Sequence, residues 1–267
     1  MLIIGELINA TRGAVREAIL KKDSGYISGL ARLQDEAGAH YLDVNVSTGP
    51  GNQQREIDDM KWAISVIRDV SEKPLAIDTT SRDVLEAGLR THGSGAMVNS
   101  ISAEKGRLES FILLALEHDS LAVVLPIGEE GIPKDVSSRL QVSRDILKVA
   151  EREGLASEKL YFDPLAMPLG VDHNGCAIAL NTICSFKKEL GVKTTIGLSN
   201  ISHGLPRRGL LNSAFLTLAL QRGLDSLIMN PLDKEVMSSL FAANVILGRD
   251  PFCGEYLQAF RRGQFGG

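Results

Sequence analysis

An eight-fold alternation of short apolar runs with helix-spaced segments predicts an α/β chain folded as a single (β/α)8 TIM barrel. Two further features favour the closed barrel over an open doubly wound sheet. The first turn, Glu6-Leu7-Ile8-Asn9-Ala10-Thr11-Arg12-Gly13, lacks the glycine-rich pattern found at the switch point of such sheets. No Pro/Gly/Ser linker or low-complexity segment divides the 267 residues. Residues 1–267 are therefore read as one domain, with 263–267 as a frayed tail.

The elements follow in order. The β-branched or Leu-rich run LIIGELI (2–8) reads as the first buried parallel strand, and residues 25–38 as the helical filling of the first interval. YLDVNV (41–46), PLAIDT (74–79) and GAMVN (95–99) are the next three strands, separated by helical spacing over 53–71 and 82–91. LAVVLPI (121–127) and LYFD (160–163) follow, with helices over 103–118 and 138–153. TTIGLS (194–199) and LDSLIM (224–229) complete the eight, with helices over 176–190, 210–222 and 234–247.

Composition narrows the function classes. The chain is 44% hydrophobic and 23% charged with a formal net charge of −4, so no global field favours nucleic acid or an anionic membrane. The pairs Lys187-Lys188, Arg207-Arg208 and Arg261-Arg262 are isolated and read as solvated surface. Cys176, Cys184 and Cys253 lie far apart, without zinc-ligand spacing, and read as unpaired thiols of a reducing compartment. The N-terminus lacks the basic and apolar regions of a signal peptide, and no run reaches the roughly 18 apolar residues that span a bilayer. A cytoplasmic protein with no membrane or nucleic-acid partner is expected.

The strand ends carry the chemistry. Glu6 and Asn9 close the first strand, Asp43 and Asn45 the second, Asp78 the third and Asn99 the fourth. Asp163, Asn200 and Asn230 close the sixth, seventh and eighth. Asp and Asn are poor strand formers, and in a closed parallel barrel these carboxyl ends meet on one face. Helix capping is the competing explanation for Asn99, as an Asp-Pro or Asn-Pro turn is for Asp163 and Asn230. Thr79, Thr80 and Ser81 stand ready to cap in place of Asp78. The rim offers carboxylates and primary amides, without a Ser-His-Asp set, a Schiff-base lysine or a histidine-rich metal cluster. Such a mixture of acceptors and donor–acceptors complements a flat polar heterocycle.

At these residues the chain resembles the pterin-binding enzymes, most closely the methyltetrahydrofolate:corrinoid protein methyltransferases. The likeness runs through IIGELIN (3–9), LDVNV (42–46), AIDTT (76–80), MVNS (97–100), GIPKD (131–135), YFDPL (161–165), GLSNIS (197–202) and RRGLLNSAF (207–215). The resemblance implies that Asp78, Asn99 and Asp163 bind the pterin ring and that Asn200 lies beside N5, the nitrogen carrying the methyl group. It further implies that Asp43 and Asn45 line or orient the floor, and that Glu6 and Asn9 face the ligand or the neighbouring loops. Arg208 aligns with a loop arginine near folate and corrin, and Ser199 and Ser202 flank the key amide. His203 is a departure from relatives and faces the expected transfer zone, unless it only shapes the corrin dock. The Gly-rich loop Ser47–Asn52 also departs, so no contacts are carried over to it.

The activity so implied is methyl transfer between N5 of (methyl)tetrahydrofolate and the cobalt of a separate corrinoid protein, in a direction the residues do not set. The amine leaving group calls for proton delivery, and Asn200 can donate a hydrogen bond but cannot titrate. No Asp-x-His-x-x-Gly corrinoid signature is present, because Asp172-His173-Asn174-Gly175 has the wrong spacing, so the corrinoid is expected on a partner. No metal is expected on this chain, and a homodimer is implied by the resemblance alone. Dihydropteroate synthase is the nearest rival activity, although no Ser-Arg-Lys-like strand or C-terminal Arg-x-His is found. Two more distant rivals are a non-catalytic folate-binding subunit and an unrelated barrel enzyme acting on a small heterocycle.

Overall fold

A computed structural model of the chain describes residues 1–49, 52–104 and 106–265. Eight parallel strands form one sheet: β1 (Leu2–Asn9), β2 (Tyr41–Asn45), β3 (Leu75–Asp78), β4 (Met97–Ser102), β5 (Leu121–Leu125), β6 (Leu160–Phe162), β7 (Lys193–Thr194) and β8 (Ser226–Met229). Their order is β7-β6-β5-β4-β3-β2-β1-β8. The two edges meet where the Ile228 N–H donates to the Ile196 carbonyl at 2.8 Å, beside a parallel bridge between Gly197 and Ile228. The chain is therefore a (β/α)8 barrel, as the alternation predicts.

The helices are α1 (Gly13–Lys21), α2 (Ser24–Glu36), α3 (Gln53–Arg68), α4 (Arg82–His92), α5 (Leu108–Glu117), α6 (Val136–Glu153), α7 (Gly175–Ser185), α8 (Arg208–Gln221), α9 (Lys234–Ile246) and α10 (Gly254–Arg261). No helix among the described residues is long and apolar enough to cross a membrane. All three cysteines are free.

Four differences from the expected pattern stand out. First, the interval between β1 and β2 holds two helices, not one. Val15, Ala18 and Ile19 are buried along α1, which stops where Lys22 adopts a left-handed conformation with φ 54°. Second, the seventh strand is short. Strand β7 itself ends at Thr194, although Ile196 and Gly197 still pair with Ile228. The backbone then turns into a 3-10 segment over Leu198–Asn200, which buries Leu198 and leaves Asn200 exposed. Third, α10 adds a tenth helix, and the described part of the expected frayed tail is docked. Phe265 packs against Tyr256, Phe241 and Phe260 with ring centroids 4.8, 5.9 and 6.1 Å apart. Fourth, Lys187 is not simply solvated, because it pairs with Asp225 at 2.9 Å.

The barrel interior shows how the site is placed. Ile4, Ala76, Met97, Val123 and Tyr161 form a buried plug, with Tyr41 and Ile228 packed against it. Side chains two residues apart on a strand share a face. One step further along the same strands therefore places Glu6, Asp43, Asp78, Asn99, Leu125 and Asp163 in the next layer, towards the carboxyl ends. An apolar plug is thus covered by a largely polar layer, which becomes the floor of a cavity.

Candidate active site

The cavity at the carboxyl face has a volume of about 440 Å³, within the range of roughly 300–1,000 Å³ usual for small-molecule sites. Asp78, Asn99, Asp163 and Asn200, which lie far apart in the chain, all line it. Glu6, Asn9, Asp43, Ser199, His203 and Arg208 line it as well. Asn45 and Ser202 stand behind the wall. Asn45 donates its amide to Asp78 Oδ2 at 3.1 Å, and the fully buried Ser202 hydroxyl accepts from Arg208 Nε at 3.1 Å.

Hydrogen bonds hold the polar layer in position. Asn99 Nδ2 donates to Asp43 Oδ1 at 2.9 Å, and Asn9 Nδ2 donates to Asp78 Oδ2 at 3.4 Å. These contacts, not a helix, occupy Asn99: α5 starts at Leu108, and no side-chain cap precedes it. Asp163 serves both readings proposed for it. Its Oδ1 accepts the Leu165 N–H at 2.7 Å in the turn through Pro164, while Oδ2 accepts the Gly197 N–H at 3.4 Å across the cavity wall. Asn230, by contrast, accepts the Leu232 N–H at 3.0 Å, as an Asn-Pro turn requires, and lies outside the cavity lining. Ser81 precedes α4 without making a side-chain cap. Beyond β2, Asn52 caps α3 by accepting the Arg55 N–H at 3.0 Å, whereas Pro50 and Gly51 of that loop lie outside the described residues.

Burial sets the electrostatics of the wall. Asp78 is pushed up to about 6 by removal from water, opposed by the Asn45 hydrogen bond. Asp163 is likewise pushed up to about 6 by burial, opposed by the N–H groups of Leu165 and Gly197 and by the Arg139 charge. Asp43 lies well above the ordinary carboxylate range, because it is buried and then faces the charges of Asp78 and Glu6. Glu6 is raised by burial, and the Ser199 hydroxyl and Arg12 partly offset this. Such raised carboxyls in a cleft are a common signature of a working site.

Several participants lay beyond the strand-end reading. Arg12 pairs with Glu6 at 3.2 Å, and Thr11, Thr80 and Ser100 add polar groups to the lining. Leu125 and Val123 supply an apolar wall. The two-residue strand period already marks Leu125 as a member of the floor layer, but Arg12 offers no such signal. Arg139 is 1% exposed and donates to the carbonyls of Pro133 at 3.1 Å and Pro164 at 2.5 Å, which fixes the turn that carries Asp163. In Ser199 the hydroxyl reaches across to Glu6 Oε1 at 2.7 Å, joining the 3-10 segment to β1.

Asn200 differs from these residues. Among the described residues its side-chain amide has no hydrogen-bond partner, and it faces the cavity from the exposed end of the 3-10 segment. The site thus combines fixed acceptors along its floor, a free amide at its rim, and the cations Arg12 and Arg208. That arrangement suits a flat ligand with several N–H donors on one edge and a reacting atom near the mouth.

The pattern of the family described as pterin binding enzymes matches residues 5–230. A methylcorrinoid:tetrahydrofolate methyltransferase of Eubacterium limosum is 32% identical over 276 residues, covering 100% of this chain and 98% of the relative. Methionine synthase of Mycobacterium leprae is 32% identical over 244 residues, 86% of this chain but only 20% of that much longer protein. Among solved structures, dihydropteroate synthase of Xanthomonas albilineans superposes with a TM-score of 0.69 at 20% identity, covering 92% of each chain. The Yersinia pestis enzyme does so with a TM-score of 0.68 at 16% identity, covering 92% of this chain and 94% of that one. At such low identity these structures speak for the barrel alone. The family match and the full-length relative together show that the chain belongs to the pterin-binding enzymes and, among them, to the methyltransferases.

Proposed function

We propose that the protein moves a methyl group between N5 of a tetrahydrofolate and the cobalt of a corrinoid carried by a separate protein. The observation that carries this reading is the convergence of Asp78, Asn99, Asp163 and Asn200 on one cavity at the carboxyl face of the barrel. Full-length similarity to a methylcorrinoid:tetrahydrofolate methyltransferase supports it, and the dihydropteroate synthase reading has only shared architecture behind it.

In this reading Asp78 and Asp163 accept N–H groups from the pyrimidine edge of the pterin, and Asn99 contributes an amide that can both donate and accept. Asp43, Asn45, Glu6 and Asn9 hold that layer in place. The unpaired amide of Asn200 approaches N5 and donates a hydrogen bond as its charge changes. Arg208, braced on the Ser199 carbonyl at 2.7 Å and on Ser202, shapes the mouth where the partner docks. Holding the ring in line with the incoming cobalt is the larger contribution, because well-oriented reactants can gain about 7–11 kcal/mol over encounter in solution. The corrinoid, when bound on its partner, supplies the cobalt that takes or gives the methyl group. The same reading places the protein in the cytosol as a homodimer, a compartment its unpaired cysteines suit.

Mixing the protein with methyltetrahydrofolate and Co(I) cobalamin, and following the Co(I) absorption band, tests the reading. The band is expected to decay with the wild-type protein. With Asn200→Ala it should decay about 100-fold more slowly, the order lost when one transition-state hydrogen bond is removed, while folate binding stays within a few-fold. A persistent Co(I) band with wild-type protein would overturn methyl transfer. Full transfer by Asn200→Ala would favour a folate-presenting subunit, and a product formed from p-aminobenzoate would favour the synthase.

A further inference from the structure

We infer that His203 is the group that exchanges a proton with the folate nitrogen during methyl transfer, taking this role beside Asn200 at the cavity mouth. The inference rests on the proposed methyl transfer and adds the titrating partner that an amide cannot be.

The placement comes from the 3-10 segment. His203 lies three residues beyond Asn200, its backbone N–H donating to the Asn200 carbonyl at 3.2 Å, and both residues line the same cavity. Its ring is exposed to solvent, so protons can pass between it and bulk water.

Elimination carries the rest. Seven titratable side chains line the cavity, and six already have partners within the protein. Asp43 accepts from Asn99; Asp78 accepts from Asn45 and Asn9; Asp163 accepts two backbone N–H groups. Glu6 is tied to Ser199 and Arg12, and Arg208 to Ser199 and Ser202. Neither guanidinium can give up its proton in the useful range. Of the seven, only His203 has no partner among the described residues, and a neutral imidazole can give a proton from one ring nitrogen and accept one at the other.

The step balances in both directions. When the methyl leaves N5 for cobalt, the C–N electron pair stays on nitrogen, and that nitrogen takes the proton of the imidazolium. In reverse, the N5 lone pair bonds the methyl carbon, the cobalt–carbon pair returns to cobalt, and the N5 proton passes to neutral imidazole.

The charged and titratable groups that share the cavity with His203 are the six just named; its own segment also carries Arg207, and the loop after β6 carries Asp172 and His173. That loop is joined to the His203 turn by the Leu169 N–H donating to the Ile201 carbonyl at 3.0 Å. His173 is the imidazole carried by that loop, and it is absent from the cavity lining.

Single-turnover transfer from saturating methyltetrahydrofolate to Co(I) cobalamin, measured from pH 5.5 to 8.5, tests the inference. Saturation removes the pH dependence of folate binding. The wild-type rate is expected to fall as pH rises through the imidazole range. In His203→Gln the rate at the acid end should drop about 100-fold, the lower end of typical general-acid contributions, with the inflection lost and folate affinity within a few-fold. His173→Gln should keep both the wild-type rate and the inflection. A His203→Gln protein with wild-type rate and inflection overturns the role of His203 while leaving methyl transfer intact. Loss of the inflection in His173→Gln alone would assign the role to that residue instead. If the wild-type protein leaves the Co(I) band untouched, the methyl-transfer reading fails, and this inference fails with it.

Discussion

The Asn99 amide donates to Asp43 Oδ1 at 2.9 Å, reaching from β4 past β3 to a carboxylate on β2. Asp43 is 2% exposed and faces the negative charges of Asp78 and Glu6, so this amide opposes an otherwise unfavourable cluster. Asn99→Ala should leave a buried carboxyl without its donor, at a cost of about 1–3 kcal/mol. The urea midpoint is expected to fall accordingly, and folate affinity, read by fluorescence quenching, should weaken at least about ten-fold, equivalent to one lost hydrogen bond. An Asn99→Ala protein that binds folate like wild type would remove Asn99 from the ligand contacts.

Folate binding should depend on pH through Asp78 and Asp163, both pushed up from 3.8 to about 6 by burial. For the unliganded protein, raised folded-state values mean that their stabilising contribution is present below about pH 4 and is lost as pH rises through 6. Ligand N–H groups require the ionised form, so the dependence of binding has the opposite sign. Affinity should rise from pH 5 to about 7 and then level off, with each carboxylate costing about ten-fold at pH 5 if its value is near 6. Titrations at pH 5, 6 and 7.5 read this directly. Asp78→Asn should bind weakly with a shallower dependence; a flat wild-type profile would contradict the assignment of these carboxylates to N–H recognition.

Much of the architecture was legible because one residue pattern encodes it twice. Apolar runs mark the strands, and polar residues at their carboxyl ends mark most of the floor, as with Asp43 after Tyr41 or Asp78 after Ala76. That regularity located the carboxyl face without any knowledge of contacts. It failed at the seventh strand, where β-branched Thr195 and Ile196 suggested a continuing ladder but the chain turns after Gly197. It failed also at α1, whose buried Val15, Ala18 and Ile19 follow helical spacing in a stretch before residue 25 to which the pattern assigned no element. The fates of Asn99 and Asp163 could not be decided locally, since Asn and Asp serve caps, turns and ligands alike. Arg12 and Arg139 stayed hidden for a different reason: their roles depend on Glu6 across a strand exit and on the Pro133 and Pro164 carbonyls, pairings set by the closed barrel.

Gly197 offers a way to disturb the amide of Asn200 without replacing it. Its backbone sits at φ −75°, which any residue adopts, so a side chain there introduces no backbone strain. A Cβ at this position would lie 3.0 Å from Asn200 Nδ2 and 3.7 Å from its Cγ, closer than the amide can tolerate without moving by a few tenths of an ångström. The Gly197 N–H would still donate to Asp163 Oδ2, its partner at 3.4 Å. Gly197→Ala is therefore expected to slow single-turnover methyl transfer about ten-fold, an effect of misplacement, while changing folate affinity less than about three-fold. Stability should hold or rise slightly, because Gly→Ala at a compatible site typically contributes about 0.4–1 kcal/mol. Gly29→Ala, where an added Cβ meets nothing within 4 Å, is the matching substitution on the outer helix α2 and should leave both readouts unchanged. An equal loss of affinity and rate in Gly197→Ala would instead trace the effect to Asp163, and an unchanged rate would mean that the exact position of the Asn200 amide is not what the transfer step senses.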